Sequence, residues 1–297
     1  MTNKINISLV LLIALFAVST SPIAAKLLNQ NSEVNGIVIA FWRMAFASGL
    51  IWLFSIFKNQ GNFIYRKNFN LTVISGMFLG LHFFFFFVAL DLTKLSNAVF
   101  LGTITPLFTL ILEIFFLNRK FKKEVFIGLF CALIGAFIIL IGSPLDYRDN
   151  DMLGNLCAIT CSIILAVSFL ISEKVRQNEN TIIYTRTLYT SAATTLLVIS
   201  IFFSTNLVPL NNQLNLFLGF LFMGLVPTII GHNAFYYSLK YVKPTIIASI
   251  PLGEPIIASI IGILLIPNQV FTTSWDYTIF GGFITLAGIF IVIKNKT

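Results

Sequence analysis

Charge is what this sequence has least of. Only 10% of its 297 residues are Asp, Glu, Lys or Arg, against about a quarter in soluble domains, and mean hydropathy is +0.92. That scarcity excludes the soluble globular class. Long polar segments are missing too, so no soluble domain is inserted between the apolar runs. The short alternating segments of a β-barrel are absent. Cysteine is sparse: Cys131, Cys157 and Cys161 lie inside apolar runs. Cys157 and Cys161 share a helix face, but two thiols without further ligands make a poor metal site, and they read as small packing residues. No H-E-x-x-H, G-x-S-x-G or G-x-x-x-x-G-K-[ST] occurs. Their absence argues against the common intramembrane hydrolases, and against ATP hydrolysis by the chain itself. No cofactor or metal is implied, and the chain does not read as an enzyme.

What is present is hydrophobic length. A helix needs roughly 20 apolar residues to cross about 30 Å of hydrocarbon. Ten such runs are legible: 6–28, 34–57, 69–90, 95–117, 124–142, 152–172, 181–204, 214–239, 244–266 and 275–293. All five aspartates (Asp91, Asp146, Asp149, Asp151 and Asp276) fall between these runs or at their edges. The fold class is therefore all-α, a polytopic membrane protein with ten transmembrane helices. The first run, with Lys4 ahead of it and SPIAAK at its end, has some features of a signal peptide. It is too long for one, and the repeat described next requires it.

Lys and Arg mark the cytoplasmic side of a membrane protein. With the N-terminus inside, fourteen of the 19 fall on inner segments and three (Lys26, Lys94, Arg148) on outer ones, while Arg43 and Arg186 lie within helices. Both termini are thus expected in the cytoplasm, with the chain in a cell membrane of the bacterial inner-membrane type. The net charge of +8 is a topology signal, and nucleic acid is not an expected partner.

The chain also repeats itself. ALDLTKLSNAVFLGTITPLFTLI (89–111) lies over SLKYVKPTIIASIPLGEPIIASI (238–260) at a constant offset of 149, which sets Thr105-Pro106 against Glu254-Pro255. Arg43 matches Arg186, and GLFCALIGAFIIL matches GGFITLAGIFIVI. Each half, 1–145 and 146–297, then holds five helices. An odd number forces the second copy to enter from the opposite side, giving an inverted repeat of the kind common in secondary transporters, whose site lies near midplane between the repeats.

On these residues the chain resembles the drug/metabolite transporter superfamily, specifically its ten-helix EamA-type members. The resemblance rests on SPIAAK, Arg43 and Arg186, ALDLTKLSNAVFLGTITP and above all YSLKYVKPTIIASIPLGEP. It implies export or exchange of small metabolites, often amino acids, and a central cavity lined by helices 1, 3, 4, 6, 8 and 9. Members often carry Gly-Glu about thirteen residues after each of the two prolines. This chain departs there, with Arg119 and Asn268. An intramembrane enzyme and a receptor-like or structural membrane protein are the competing classes.

An ionisable group at bilayer depth costs about 2.5–3.5 kcal/mol on insertion scales, so each needs a reason. Glu254 stands mid-run beside Pro251, Gly253 and Pro255, breakers tolerated at that depth only where protein or a water-filled cavity surrounds them. It either faces a central cavity or pairs with a neighbouring helix. In the first case it exchanges a proton, H+ being the coupling ion, or pairs with a substrate amine. Arg43 is either its structural partner or a cavity cation, and Arg186 is shallow enough to snorkel. Ser21, His82, Asn97, Thr105, His232, Asn233 and Tyr236 complete the expected polar wall, with Pro106 and Pro255 as paired breakers. Each histidine is read either as a substrate or proton-relay group or as a packing residue. The Phe run at 83–87 reads as lipid-facing and core filler. The expected partners are a small-molecule substrate and the lipid bilayer, with the chain acting as monomer or homodimer.

Overall fold

The computed structural model describes residues 6–32, 34–142, 151–208, 213–265 and 275–295, and among them every regular element is helical. Asp146, Arg148, Asp149 and Asn268 lie outside the described residues. Among the described residues nine helices are long and apolar enough to cross a membrane: α1 (Ile7–Asn29), α2 (Gly36–Phe57), α3 (Arg66–Leu92), α4 (Leu95–Phe115), α5 (Lys123–Ile141), α6 (Asp151–Arg176), α8 (Leu214–Ser238), α9 (Pro244–Gly262) and α10 (Asp276–Lys294). The tenth, α7 (Thr181–Phe202), is of equal length but carries Arg186 and a run of threonines. Those hydroxyls do not stay unpaired. Thr185, Thr190, Thr194 and Thr195 each donate to the carbonyl four residues earlier, a bond that lets a polar side chain sit in a helix without water. Observed spans follow the apolar runs closely; α6 runs furthest beyond expectation, to Arg176 in place of 172.

Helices are the natural form here because hydrocarbon offers backbone groups no partner, and a helix satisfies them internally. The outside of the bundle is correspondingly apolar, with Phe16, Phe57, Phe130, Phe202 and Phe283 among its exposed residues. Many of the buried side chains are Ser, Thr, Arg or Glu.

The packing obeys a two-fold rule. α3 lies along α6 as α1 lies along α8, and α3 packs on α7 as α8 packs on α2. α2 pairs with α7, α4 with α9 and α5 with α10. Each relation maps onto another, or onto itself, when helix n is exchanged for helix n+5. That is the signature of two inverted five-helix repeats. The helix ends on the side of both termini carry Lys58, Lys67, Lys120, Lys122, Lys123, Lys240, Lys243 and Lys294, and this face is called the lysine-rich side below.

The α5–α10 pair is the tightest contact in the bundle and depends on having no side chain at its crossing. A Cβ built on Gly288 would fall 2.5 Å from the carbonyl oxygen of Gly128, and one on Gly135 would overlap that of Gly281. Gly288→Val should therefore prise the two helices apart at a cost of about 1–3 kcal/mol or more, read as a lower melting temperature in detergent. Gly49, with nothing within 4 Å of a built Cβ, is the control, and Gly49→Val should melt near the wild-type temperature. Equal losses in both variants would refute the close-packing account.

Candidate functional site

Three helices lose regular geometry at mid-depth, and they do so around one point. α4 is interrupted at Ile104 (φ −74°, ψ 7°), so that Leu95–Thr103 and Thr105–Phe115 are separate stretches, the second opening on Thr105-Pro106. α9 tightens into a 3₁₀ turn over Ile250–Gly253 between Pro244–Ser249 and Glu254–Leu265. The two breaks thus fall immediately before the residues that the 149-residue offset equates. α8 widens to a π-helix over Gly224–His232, with Pro227 inside it. Such π-helical turns are frequent at functional sites.

The breaks surround a small cavity, in which the space open to the centres of water molecules is about 40 Å³. Its polar wall is Ser21, Arg43, His82, Thr103, Thr105, His232 and Glu254, and its aromatic wall is Phe83, Phe86, Phe169 and Phe235. α1, α3, α4, α6, α8 and α9 all contribute, as the resemblance implied. α2 joins them through Arg43.

Arg43 is 1% exposed, and its guanidinium is held from three sides. Nε donates to Thr228 Oγ1 at 2.8 Å, Nη1 donates to Ser21 Oγ at 2.7 Å, and the carbon of the fork stacks 4.2 Å above the Phe83 ring. Thr228 can accept because its own hydroxyl proton goes to the Met223 carbonyl at 2.9 Å. Nη2 has no hydrogen-bond partner. Both Arg43 and Glu254 front the cavity, yet among the described residues the only ion pairs within 4.0 Å are those of Arg119. The fixed Arg43–Glu254 pair, one of the two sequence alternatives, is not formed in this conformation. His82 Nδ1 stands 3.0 Å from the Cys161 carbonyl oxygen. A carbonyl only accepts, so Nδ1 carries the proton and Nε2 is left as an acceptor. His232 sets its ring edge-on to Phe83, with centroids 5.2 Å apart, and its Nδ1 is buried without a partner. The cavity therefore combines acceptors (Glu254, His82 Nε2), a spare guanidinium donor (Arg43 Nη2) and aromatic faces. That set suits a small molecule bearing a positive group, a negative group and an apolar body.

Some expected wall residues lie elsewhere. Asn97 sits at the start of α4, where its side-chain amide donates to Thr93 Oγ1 at 3.5 Å. Tyr236 is fully buried between Phe169, Tyr184 and Tyr189, one turn past His232. Asn233 is half-buried on the same helix, its Oδ1 without a partner. Neither residue borders the cavity. Arg186 does not snorkel free: it donates to Ser55 Oγ and Gly61 O, both at 2.6 Å, and stacks on Trp52. It staples the end of α2 to the following loop. Pro106 and Pro255 open the second stretches of α4 and α9, as breakers should. The Phe run needs correcting. Phe83 and Phe86 face the cavity with His82, because positions 82, 83 and 86 share one face of a helix. Thr228 was missed altogether, and its place one residue after Pro227 was the available signal.

The sequence model described as the EamA-like transporter family matches residues 5–141 and 152–294, once in each half. An uncharacterized transporter of Haemophilus influenzae is 26% identical over 75% of this chain and 74% of its own length. One from Archaeoglobus fulgidus is 24% identical over 88% and 89%, and the uncharacterized transporter YyaM of Bacillus subtilis is 22% identical over 87% and 86%. A solved crystal structure shares the fold with a TM-score of 0.78 at 15% identity, covering 98% of this chain and 97% of its own.

The Arg43 anchor predicts a measurable cost. Thr228→Val keeps the shape but removes the acceptor of a charged donor, a loss of about 1.5–3 kcal/mol. Denaturant titration in detergent should show it. A cost below about 0.5 kcal/mol, the scale of a neutral surface change, would mean that Thr228 does not hold the guanidinium.

Proposed function

Because this chain belongs to the EamA-like transporter family, we propose that it is a secondary active transporter which exports or exchanges small metabolites of the amino-acid or amine class. It works by alternating access around the Glu254 cavity, in a cell membrane, with both termini in the cytoplasm. The observation that carries the reading is the Glu254 carboxylate. It stands at a broken mid-depth helix, fronts a cavity and has no cationic partner within 4.0 Å among the described residues. A structural carboxylate at that depth would be expected to hold a partner, since an unpaired buried charge is costly. One left unpaired is available to a ligand, either a proton or a substrate ammonium. Arg43 lines the same cavity with Nη2 unpartnered, which offers a place for the substrate's carboxylate, and the phenylalanines offer a place for its apolar part. Charged hydrogen bonds inside a low-dielectric cavity are the strong ones, so both ends of a zwitterion would contribute. Energy would come from the gradient of H+ or of the substrate.

The test is transport by the purified protein in proteoliposomes, after a thermal-shift screen across amino acids, polyamines and nucleosides has identified ligands. Glu254→Gln should fold with a near-normal melting temperature. It should bind the best ligand about ten- to a hundred-fold more weakly, the value of one charged hydrogen bond, and lose transport or its pH dependence. Normal transport with unchanged pH dependence would remove Glu254 from the mechanism. Failure of Glu254→Gln to fold, with Glu254→Asp folding and transporting, would make the carboxylate structural.

A further inference from the structure

On the lysine-rich side, below the cavity, a charged cluster ties the two repeats together. Glu113, near the end of α4, has no exposed side-chain surface. Its Oε1 accepts from Arg119 Nη1 at 2.6 Å, and its Oε2 accepts from the Thr245 backbone N–H at 2.8 Å and the Thr245 hydroxyl at 2.5 Å. Thr245 is the second residue of α9, so its N–H is one of the donors that a helix start leaves unpaired, and a carboxylate there also meets the positive end of the helix dipole. Arg119 in turn forks onto Glu173 of α6, with Nη1 to Oε1 at 2.9 Å and Nη2 to Oε2 at 2.8 Å. Lys243 adds a bond from Nζ to the Lys120 carbonyl at 3.0 Å. α4 of the first repeat is thereby joined to α6 and α9 of the second.

Position gives the cluster its meaning. Glu113 lies eight residues beyond Thr105, about 12 Å of helix from the cavity, and Thr245 three before the cavity residue Ala248, about 4.5 Å. The stretches between, Thr105–Phe115 and Pro244–Ser249, pack closely on one another, whereas the outer halves of α4 and α9 touch much less. The cavity is therefore shut toward the lysine-rich side by the packed inner halves, with Glu113–Thr245 across their ends. The two repeats do not match at the cluster. The 149-residue offset sets Ser96 opposite Thr245, so a hydroxyl stands at both places, but it sets Gly262 opposite Glu113. At the position of the second repeat that matches Glu113 there is therefore no carboxylate.

We infer that Glu113, Arg119 and Glu173, with Thr245, form a latch that holds the inner halves of α4 and α9 together and so closes the cavity toward the cytoplasm. The inference rests on the alternating-access and orientation readings above. Opening inward must part α4 from α9, which breaks the Glu113–Thr245 bonds and strains the Arg119 fork.

The experiment reads accessibility and needs no substrate, so the latch can fail while transport stands, and the reverse. Ala248, a cavity residue on α9, is changed to Cys in a background with Cys131, Cys157 and Cys161 replaced by Ala. A membrane-impermeant thiol reagent is applied to right-side-out or inside-out vesicles. The parent should label slowly from the cytoplasmic side, because Ala248 has no exposed surface. Glu113→Gln and Arg119→Gln should each raise the cytoplasmic-side rate about ten-fold, a shift within reach of a few lost charged bonds. Arg119 and Glu173 keep 29% and 12% of their side-chain surface, so about 1 M salt should raise cytoplasmic-side labelling in the parent through screening. Unchanged sidedness in folded variants would overturn the latch. If both variants fail to fold, the salt response of the parent decides, and no response overturns it. A parent that labels rapidly from the cytoplasmic side also overturns it.

Discussion

A guanidinium at bilayer mid-depth has five N–H donors and no water to give them to, and the cavity is organised around that constraint. Arg43 leaves α2 and is satisfied by α1 through Ser21, by α8 through Thr228 and by the face of Phe83 on α3. Four helices from both repeats meet at one side chain. The Thr228 hydroxyl can serve as acceptor because the π-helical stretch of α8 brings the Met223 carbonyl within 2.9 Å of it. With Nε and Nη1 engaged elsewhere, the fork is turned so that it does not close on Glu254. Glu254 lines the same cavity and has no ion-pair partner among the described residues.

The inverted repeat supplies the frame, and departures from it supply the function. Both copies break their fourth helix at equivalent points, yet one presents Thr105 and the other Glu254. Both carry an arginine at matched positions. Arg43 faces the cavity, while Arg186 binds loop carbonyls near the lysine-rich surface. Glu113 has Gly262 as its counterpart. A strictly symmetric pair of repeats would give inward- and outward-open states equal energies, so any bias between them must come from such unmatched residues. The close α5–α10 crossing is the opposite case. Gly128 and Gly135 match Gly281 and Gly288, and the matched glycines hold the two halves together at their crossing.

Much of this was legible in the amino-acid order alone. The ten helices follow from apolar length, because hydrocarbon thickness sets the span and no backbone group can go unpaired inside it. The breaks before Thr105 and Glu254 follow from proline, which removes an N–H and clashes with the preceding turn. The halves follow from the offset, and the two-sided reading of Glu254 as cavity-facing or paired was already drawn. Side-chain direction was not legible. Asn97, Asn233 and Tyr236 are as polar as the residues that line the cavity, but lining is decided by helix rotation, and a shift of one residue turns a side chain by about 100°. His82, Phe83 and Phe86 share a face that an unbroken Phe run conceals.

The chain order by itself therefore determined that this is a ten-helix, twice-repeated membrane protein with a discontinuous mid-depth region, since those properties depend on local length, periodicity and backbone chemistry. Only the tertiary structure decided which polar residues meet. Ser21, Arg43 and Thr228 are separated by up to 207 positions, Glu113 from Thr245 by 132, and no local rule links them. Their meeting depends on how the two repeats pack, which depends on small residues at the helix crossings and on satisfying every buried donor at once.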